Sequence, residues 1–335
     1  MKNSPPSDSR VIASMATGTT LYRQNEALIY VQILRALADC QIFDRTAERD
    51  ILIRAADAEI LLTNKAPLRA ETLAALPALR YIGVSATGYD IVDIAQATRQ
   101  NIVVTNVPSY GTNSVAQMVF ALLLELCNNV GLHNDAVRQG LWARNPDWCF
   151  WQSHLIELSG KTIGIVGYGR IGKRVAHIAQ AFGMQVMATG TRSPADLPSG
   201  IHWGCIDEVF ASADVVSLHC PLQPSTHGLV NSARIAQMKP TAILINTSRG
   251  GLIVEEELAE ALNSGRLAGA GLDVLTVEPP RASSPLIGAK NCVITPHIAW
   301  ATRESRSRLL DTAIANLRLW LEGQPENVVN GASLL

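Results

Sequence analysis

The sequence predicts an α/β protein built from two doubly wound parallel sheets. Three observations carry this expectation. Short apolar runs alternate with longer amphipathic ones along nearly the whole chain, the rhythm of parallel strands joined by crossover helices. The alternation falls into two series, separated by a long apolar helix and a tryptophan-rich stretch. One turn in the second series, Gly167-Tyr168-Gly169-Arg170-Ile171-Gly172, has the spacing of a strand-to-helix turn that holds phosphate.

In the first series the candidate strands are residues 11–14, 41–43, 60–62, 81–84 and 102–105, with helices around 26–38, 49–55, 70–75 and 92–99. After Pro108 the period changes. Ser114-Val115-Ala116-Gln117 reads as a capping box, and Val115, Met118, Val119, Leu122 and Leu126 follow at helical spacing. Trp142, Trp148 and Trp151 come next. Strands of the second series are expected at 162–166, 186–189, 215–218, 242–246, 270–273 and 292–295, and a last long helix at 303–321. Ligands of such sheets bind at the carboxyl ends of the strands, so functional residues are expected just after strands.

Composition narrows the function classes. A 335-residue chain with 47% hydrophobic residues can bury a large core, most economically as two domains. Its 28 Lys and Arg balance 29 Asp and Glu, so no basic stripe points to nucleic acid. The longest apolar run, 118–124, stops at Glu125 and is far too short to span a bilayer. The first ten residues are polar and lack the apolar core of a signal peptide. Six scattered cysteines form neither a C-x-x-C pair nor a His/Cys cluster. Reduced thiols in the cytoplasm are expected, with no disulfide framework and no metal site.

In the glycine turn, Gly167 permits the tight bend, Gly169 lets backbone approach a pyrophosphate, and Gly172 lets the helix pack on its strand. The phosphates then sit at the positive helix N-terminus. The next strand ends in Gly190-Thr191-Arg192-Ser193. An NAD site places an acid here to hold the ribose hydroxyls, yet the first acid is Asp196. Thr191, Arg192 and Ser193 read as a pocket for a 2′-phosphate, which favours NADP(H) and leaves NAD(H) open. A solvated surface turn is the plainer reading.

Three further groups follow strands: Asn246-Thr247-Ser248-Arg249-Gly250-Gly251, Asp273 with Glu278-Pro279-Pro280, and Pro296-His297-Ile298-Ala299-Trp300-Ala301-Thr302. An arginine, a carboxylate and a histidine at separate strand ends can converge beside a nicotinamide. Taken singly, Arg249 could clamp a phosphate, Glu278 could be a surface turn residue, and His297 a core histidine.

Together these groups resemble the D-isomer-specific 2-hydroxyacid dehydrogenases, in particular the branch of glycerate dehydrogenases and hydroxypyruvate (glyoxylate) reductases. The likeness also rests on Leu62-Thr63-Asn64-Lys65, Ser85-Ala86-Thr87-Gly88-Tyr89-Asp90, Ser114–Gln117, His219-Cys220-Pro221-Leu222 and Gly271-Leu272-Asp273-Val274. The resemblance implies a discontinuous flavodoxin-like substrate domain, residues 1–107 and 301–335. It implies a Rossmann-like coenzyme domain, residues 108–300, and an active site in the cleft between the two. His297 would be the acid/base, Glu278 its orienting partner and Arg249 the substrate clamp. Ala86, Thr87 and Gly88 would cradle the substrate carboxylate. His219, Cys220, Pro221 and Thr247 would line the coenzyme, and Asp273 would contact its nicotinamide side.

The chemistry suits those types. Hydride passes between the nicotinamide and the carbonyl carbon of a 2-keto acid, and charge builds on oxygen. Protonated His297 can donate to that oxygen, with Glu278 stabilising the imidazolium. Arg249 has the planar fork to hold carboxylate and carbonyl together.

The expected substrates are hydroxypyruvate or glyoxylate, giving D-glycerate or glycolate. The alternatives are a D-lactate-type or phosphite dehydrogenase, or a non-catalytic coenzyme-sensing dimer. The absence of a long regulatory tail favours a metabolic enzyme. Trp300 would narrow the pocket toward small substrates or pack in a core. Asn64-Lys65 would face the cleft or, for Lys65, solvent. The segment 142–151 would reach across a homodimer interface. Met15-Ala16-Thr17-Gly18 and Gln117 depart from the family pattern, and no role is assigned to Thr17-Gly18.

Overall fold

The computed structural model describes residues 10–14, 25–37, 39–43, 45–191, 195 and 197–331. The chain divides into two compact units, Met1–Tyr110 with Arg303–Leu335, and Gly111–Thr302. The breaks fall after Tyr110 and Thr302, where the sequence suggested 107 and 300.

The first unit runs β1 (Arg10–Ser14), α1 (Asn25–Leu37), β2 (Asp39–Phe43), α2 (Ile51–Ala55), β3 (Ile60–Thr63), α3 (Ala70–Ala74), β4 (Tyr81–Val84), α4 (Ile94–Arg99) and β5 (Val103–Thr105). Its sheet is parallel with order β2-β1-β3-β4-β5, the flavodoxin-like arrangement. All residues of β3 and β4 are buried, as a sheet covered on both faces requires. Strand alternation sends Leu61, Ile82 and Val84 into a core with Leu73, Leu76 and Ile102. It sends Ile60, Leu62 and Tyr81 to the opposite face, against Tyr30 and Leu34 of α1.

The second unit runs α5 (Thr112–Asn128), α6 (Val130–Arg138), β6 (Thr162–Val166), α7 (Arg170–Ala181), β7 (Gln185–Thr189), β8 (Ile201–Trp203), α8 (Ile206–Ser212) and β9 (Val215–Leu218). It continues through α9 (Ser232–Ile235), β10 (Ile243–Asn246), α10 (Glu255–Asn263), β11 (Gly269–Leu272) and β12 (Cys292–Ile294). The sheet order is β12-β11-β10-β9-β6-β7-β8, all parallel. Strand order therefore reverses between β6 and β9, the dinucleotide-type switch point. One face buries Phe120 and Leu123 of α5 with Val175 and Ala179 of α7; the other buries Phe210, Leu244 and Leu258.

The last helix, α11 (Arg303–Leu321), returns to the first unit. Its Leu310, Ile314 and Leu317 join the α1 face of that sheet. The tail beyond it lies along the edge of β5. Val328 bridges Thr105 in antiparallel sense, and the Val329 amide donates to the Val104 carbonyl at 2.8 Å. The Asn330 side chain mimics a strand: its Oδ1 accepts from the Val104 amide at 3.0 Å, and its Nδ2 donates to the Ile102 carbonyl at 2.7 Å.

Three local readings change. Helix α5 begins at Thr112 with Gly111 as N-cap, so the Ser114–Gln117 box lies inside the helix. The buried Ser114 hydroxyl instead bonds Thr302 Oγ1 at 2.7 Å. Helix α6 was not expected, because Val130, Leu132 and Val137 are exposed and give no buried stripe. Strand β8 is a three-residue edge strand, too short to show alternation.

Candidate active site

The glycine turn sits at the switch point of the second sheet, directly after β6. Gly167 has φ +101°, and a Cβ there would lie 2.6 Å from the Cys220 amide nitrogen, so only glycine fits against His219-Cys220 after β9. A Cβ at Gly172 would collide with the Gly167 carbonyl, which fixes the close approach of α7 to the turn. Gly169 differs: a Cβ there would meet open space. Among the described residues, no side chain caps the N-terminus of α7. The backbone at 167–172 thus offers an open, positive helix end of the kind that receives phosphate. Arg170 and Ile171 form the first turn of α7. Tyr168 packs edge-on against Trp203, ring centroids 6.2 Å apart, with Lys173 Nζ 5.9 Å from its ring.

Beyond β7, Gly190 is exposed, and a Cβ on it would come 3.3 Å from the Trp203 indole. Thr191 follows, exposed. Arg192 and Ser193 lie outside the described residues, as do Met15-Ala16-Thr17-Gly18.

After β9, the His219 side chain turns toward its own strand, with Nε2 2.9 Å from Ser217 Oγ. Burial pushes its imidazole down to about 4, so it is neutral near pH 7. The Cys220 carbonyl accepts from Ser248 Oγ at 2.9 Å, and burial pushes the Cys220 thiol up. Pro221 is exposed. Thr247 Oγ1 is buried with no hydrogen-bond partner among the described residues. An orphaned hydroxyl, an uncapped helix end and an open Gly169 fit a dinucleotide laid across the switch point.

Arg249 follows β10 in extended conformation. Asn246, fully buried, clips its loop: Nδ2 donates to the Arg249 carbonyl at 2.9 Å, and Oδ1 accepts from the Ser248 amide at 3.0 Å. The Arg249 side chain is exposed, and Nη1 donates to the Ser248 carbonyl at 2.8 Å. Gly250 lies so close to the Leu275 backbone that no Cβ fits between them. That contact seats the arginine loop on the loop that carries Glu278.

His297 follows β12 with φ +54°, a left-handed backbone held from several sides. Its Nδ1 is 2.6 Å from Glu278 Oε2, and Glu278 Oε1 accepts from the Leu275 amide at 3.0 Å. The Asp273 carbonyl accepts from the His297 amide at 2.8 Å. The Asp273 carboxylate, 1% exposed, takes three more bonds: from Thr295 Oγ1 (2.6 Å), the Ile298 amide (2.9 Å) and the Ala299 amide (2.8 Å). Burial raises its pKa, against the pull of those donors and of His297. Trp300 closes the turn, its Nε1 donating to the His297 carbonyl at 3.0 Å. Nothing in the sequence signalled that Asp273 and Asn246 brace these loops; the only hint is a polar residue ending an apolar strand.

In the first unit, Ser85-Ala86-Thr87-Gly88 follows β4. Its carbonyls are tied down: Ser85 to Asn64 Nδ2 (2.6 Å), Ala86 to the Val107 amide (3.0 Å) and Thr87 to Asn106 Nδ2 (2.7 Å). Thr87 Oγ1 donates to the Val107 carbonyl at 2.9 Å. Among the described residues, the amides of Ala86, Thr87 and Gly88 donate to no protein acceptor. Asn64 is therefore a buried loop brace, whereas Lys65 is exposed.

A doubly wound sheet with this turn at its switch point is a dinucleotide-binding module, and a histidine–carboxylate pair at strand ends of the same sheet suits an oxidoreductase. The comparisons make the class specific. Residues 120–299 match the model of the D-isomer specific 2-hydroxyacid dehydrogenase NAD-binding domain. The chain is 51% identical over 301 residues to a hydroxypyruvate reductase of Blautia hydrogenotrophica, covering 89% of this chain and 94% of that protein. It is 39% identical over 284 residues to a glycerate dehydrogenase of Methylorubrum extorquens, covering 84% and 88%. Among solved structures, an NADPH-dependent glyoxylate/hydroxypyruvate reductase of Sinorhizobium meliloti, in complex with NADP and malonate, superposes with TM-score 0.84 at 27% identity, covering 98% of each chain. This chain belongs to the D-isomer specific 2-hydroxyacid dehydrogenases. It is an oxidoreductase that transfers hydride between a nicotinamide coenzyme and a small 2-keto acid.

Proposed function

We propose that this enzyme reduces hydroxypyruvate, with glyoxylate as a second substrate, and that His297 is its proton donor. The observation that carries the proposal is the 2.6 Å contact between His297 Nδ1 and Glu278 Oε2. It fixes the ring so that Nε2 is the atom left for substrate. When bound, the coenzyme supplies the hydride. His297 Nε2–H donates to the carbonyl oxygen as charge gathers there, and Glu278 holds the ring in that orientation. Arg249 clamps the substrate with its planar fork. The three undonated amides of Ala86, Thr87 and Gly88 form a nest for the substrate carboxylate. Trp300 limits the side chain to a small one.

The coenzyme is held by the backbone of Gly167, Tyr168, Gly169, Arg170, Ile171 and Gly172, with His219, Cys220, Pro221 and Thr247 along its length. Asp273 supports the nicotinamide end while bracing the histidine turn. NADP(H) is the preferred form. Gly190 offers no carboxylate to hold ribose hydroxyls or repel a phosphate, and the adjoining sequence supplies Thr191, Arg192 and Ser193. The similarity to an NADPH-dependent reductase supports that preference.

A homodimer is proposed on the exposed apolar surface of residues 130–155. There Trp148 is 86% and Trp151 69% exposed, beside Val130, Leu132 and Leu155. Patches of this kind mark association surfaces. Six free thiols suit the reducing cytoplasm.

The test is a spectrophotometric screen of hydroxypyruvate, glyoxylate and pyruvate with NADPH, in the parent and in His297→Ala. Hydroxypyruvate is expected to give the highest kcat/KM. His297→Ala is expected to lose roughly 10²–10⁴-fold in kcat while still binding NADPH. Near-normal turnover in that variant removes His297 from the role. No turnover of any keto acid by the parent favours a coenzyme-sensing protein instead.

A further inference from the structure

The nest at 86–88 is not self-supporting. The carbonyl of Thr87, its central residue, is held by Asn106 Nδ2 at 2.7 Å, and Asn106 is in turn held from the far end of the chain. The Asn106 carbonyl accepts from Asn316 Nδ2 at 2.8 Å, from helix α11, where Asn316 is 1% exposed. The Asn106 amide donates to the Asn327 carbonyl at 3.2 Å. Asn327 Nδ2 closes the loop by donating to Asn316 Oδ1 at 2.8 Å. Asn327 reaches that position with φ +54°, in the left-handed region that asparagine tolerates better than most residues.

We infer that Asn106, backed by Asn316 and Asn327, is a positioning residue for substrate, holding the 86–88 amides turned toward the incoming carboxylate. This rests on the reading of those amides as the carboxylate nest. A carbonyl left free at Thr87 can rotate its peptide plane, and that plane carries the Gly88 amide. Holding the carbonyl therefore holds the donor on its other side. The bonds consume carbonyls and leave amides open, which is the polarity an anion site needs and a merely stable loop does not. At 106 the side chain donates to the Thr87 carbonyl while the backbone accepts from Asn316 and donates to Asn327.

The experiment uses the full-length enzyme and three variants: Asn106→Ala, Asn327→Gly and Gly88→Val. Asn106→Ala removes the donor to Thr87. Asn327→Gly removes the tie to Asn316 while keeping a residue at ease with positive φ. Gly88→Val fills the nest and tests the underlying reading. Kinetics with hydroxypyruvate are measured alongside inhibition by oxalate as a carboxylate probe, NADPH binding by fluorescence titration, and thermal unfolding.

Asn106→Ala and Asn327→Gly are expected to raise KM and the oxalate inhibition constant together by roughly three- to tenfold. The NADPH dissociation constant and kcat should stay within about twofold of the parent. If Gly88→Val raises KM but both asparagine variants leave KM and oxalate inhibition unchanged, the inference is overturned and the chain of asparagines serves stability alone. If Gly88→Val also leaves KM unchanged, the nest reading itself falls. Should Asn106→Ala fail to fold, Asn327→Gly reads the same split.

Discussion

Replacing Glu278 by glutamine tests the site at its narrowest point. The carboxylate has two bonds to keep: Oε2 to His297 Nδ1 at 2.6 Å and Oε1 to the Leu275 amide at 3.0 Å. Glutamine has one acceptor and one donor, so it cannot serve both N–H groups. If its oxygen stays on Leu275, the amide NH2 faces His297 Nδ1 and forces the proton onto Nε2 only in the neutral ring. If the amide flips, the Leu275 N–H loses its partner. Either way one charge-assisted bond is lost, about 1.5–3 kcal/mol. At 1.36 kcal/mol per tenfold, kcat should fall by roughly tenfold to 150-fold. NADPH binding should be unaltered, because the coenzyme-facing turn at 167–172 is untouched. The assay is steady-state reduction of hydroxypyruvate across pH 5–9, with coenzyme affinity measured separately. An unchanged kcat and pH profile would refute the claim that Glu278 orients His297. A fall in NADPH affinity with kcat intact would place Glu278 in coenzyme binding.

Arg249→Lys should raise KM for hydroxypyruvate and lower kcat, since an ammonium cannot bridge two oxygens. If only NADPH affinity drops, Arg249 is a coenzyme residue. Arg192→Ala should erase most of a preference for NADPH over NADH, roughly tenfold to hundredfold in affinity for one charge-assisted contact. A parent enzyme that prefers NADH defeats that assignment outright. Asp214 gives a pH prediction for stability. Burial pushes its carboxyl up, but bonds from Lys239 Nζ and the Thr162 amide, both 2.8 Å, together with the Lys239 and Lys161 charges, hold it below the ordinary value. A carboxyl depressed in the folded state stabilises above its unfolded pKa and loses that contribution as pH falls through the folded one. Asp214→Asn should therefore cost about 1 kcal/mol at pH 7, a modest figure because the pair is partly exposed. The gap to the parent should close as pH falls below about 4. A gap in urea unfolding that does not change with pH removes the charge from the account.

The architecture was legible because parallel sheets write themselves as apolar runs. Ile60–Thr63, Tyr81–Val84 and Val215–Leu218 are buried at every position, and apart from Ser217 no polar residue interrupts them except at a strand end. Short or exposed elements leave no such trace. Strand β8 has one neighbour and three residues, and α6 exposes its large apolar residues Val130, Leu132 and Val137. Ser114 misled for a different reason. A serine three residues into a helix looks like a cap from sequence alone, and only the hydroxyl of Thr302, far away in the chain, shows what it bonds.

The candidate site was legible in the residue types that suit the proposed chemistry and silent about what holds them. Histidine, glutamate and arginine at strand ends advertise chemistry through residue type, and glycines at 167 and 172 advertise backbone approach. Bracing residues have no distinctive type. Asp273 looked like one more ligand-facing acid, yet four of its bonds, one through its carbonyl, run to residues 295–299. That concentration has a physical purpose. His297 sits at φ +54°, a conformation that costs of order 1–3 kcal/mol for a non-glycine residue and persists only when its neighbours over-determine it. One buried carboxylate gripping the amides on both sides of Ile298's peptide, and one indole closing the turn, over-determine it. The strain and its restraint come from residues 22 to 26 positions apart in the chain, and no local pattern spans that distance. The same holds in the first unit, where Asn106 and Asn316 are 210 positions apart. What sequence reading cannot supply, then, is the set of long-range hydrogen bonds that turn a group able to react into a group held where it must react.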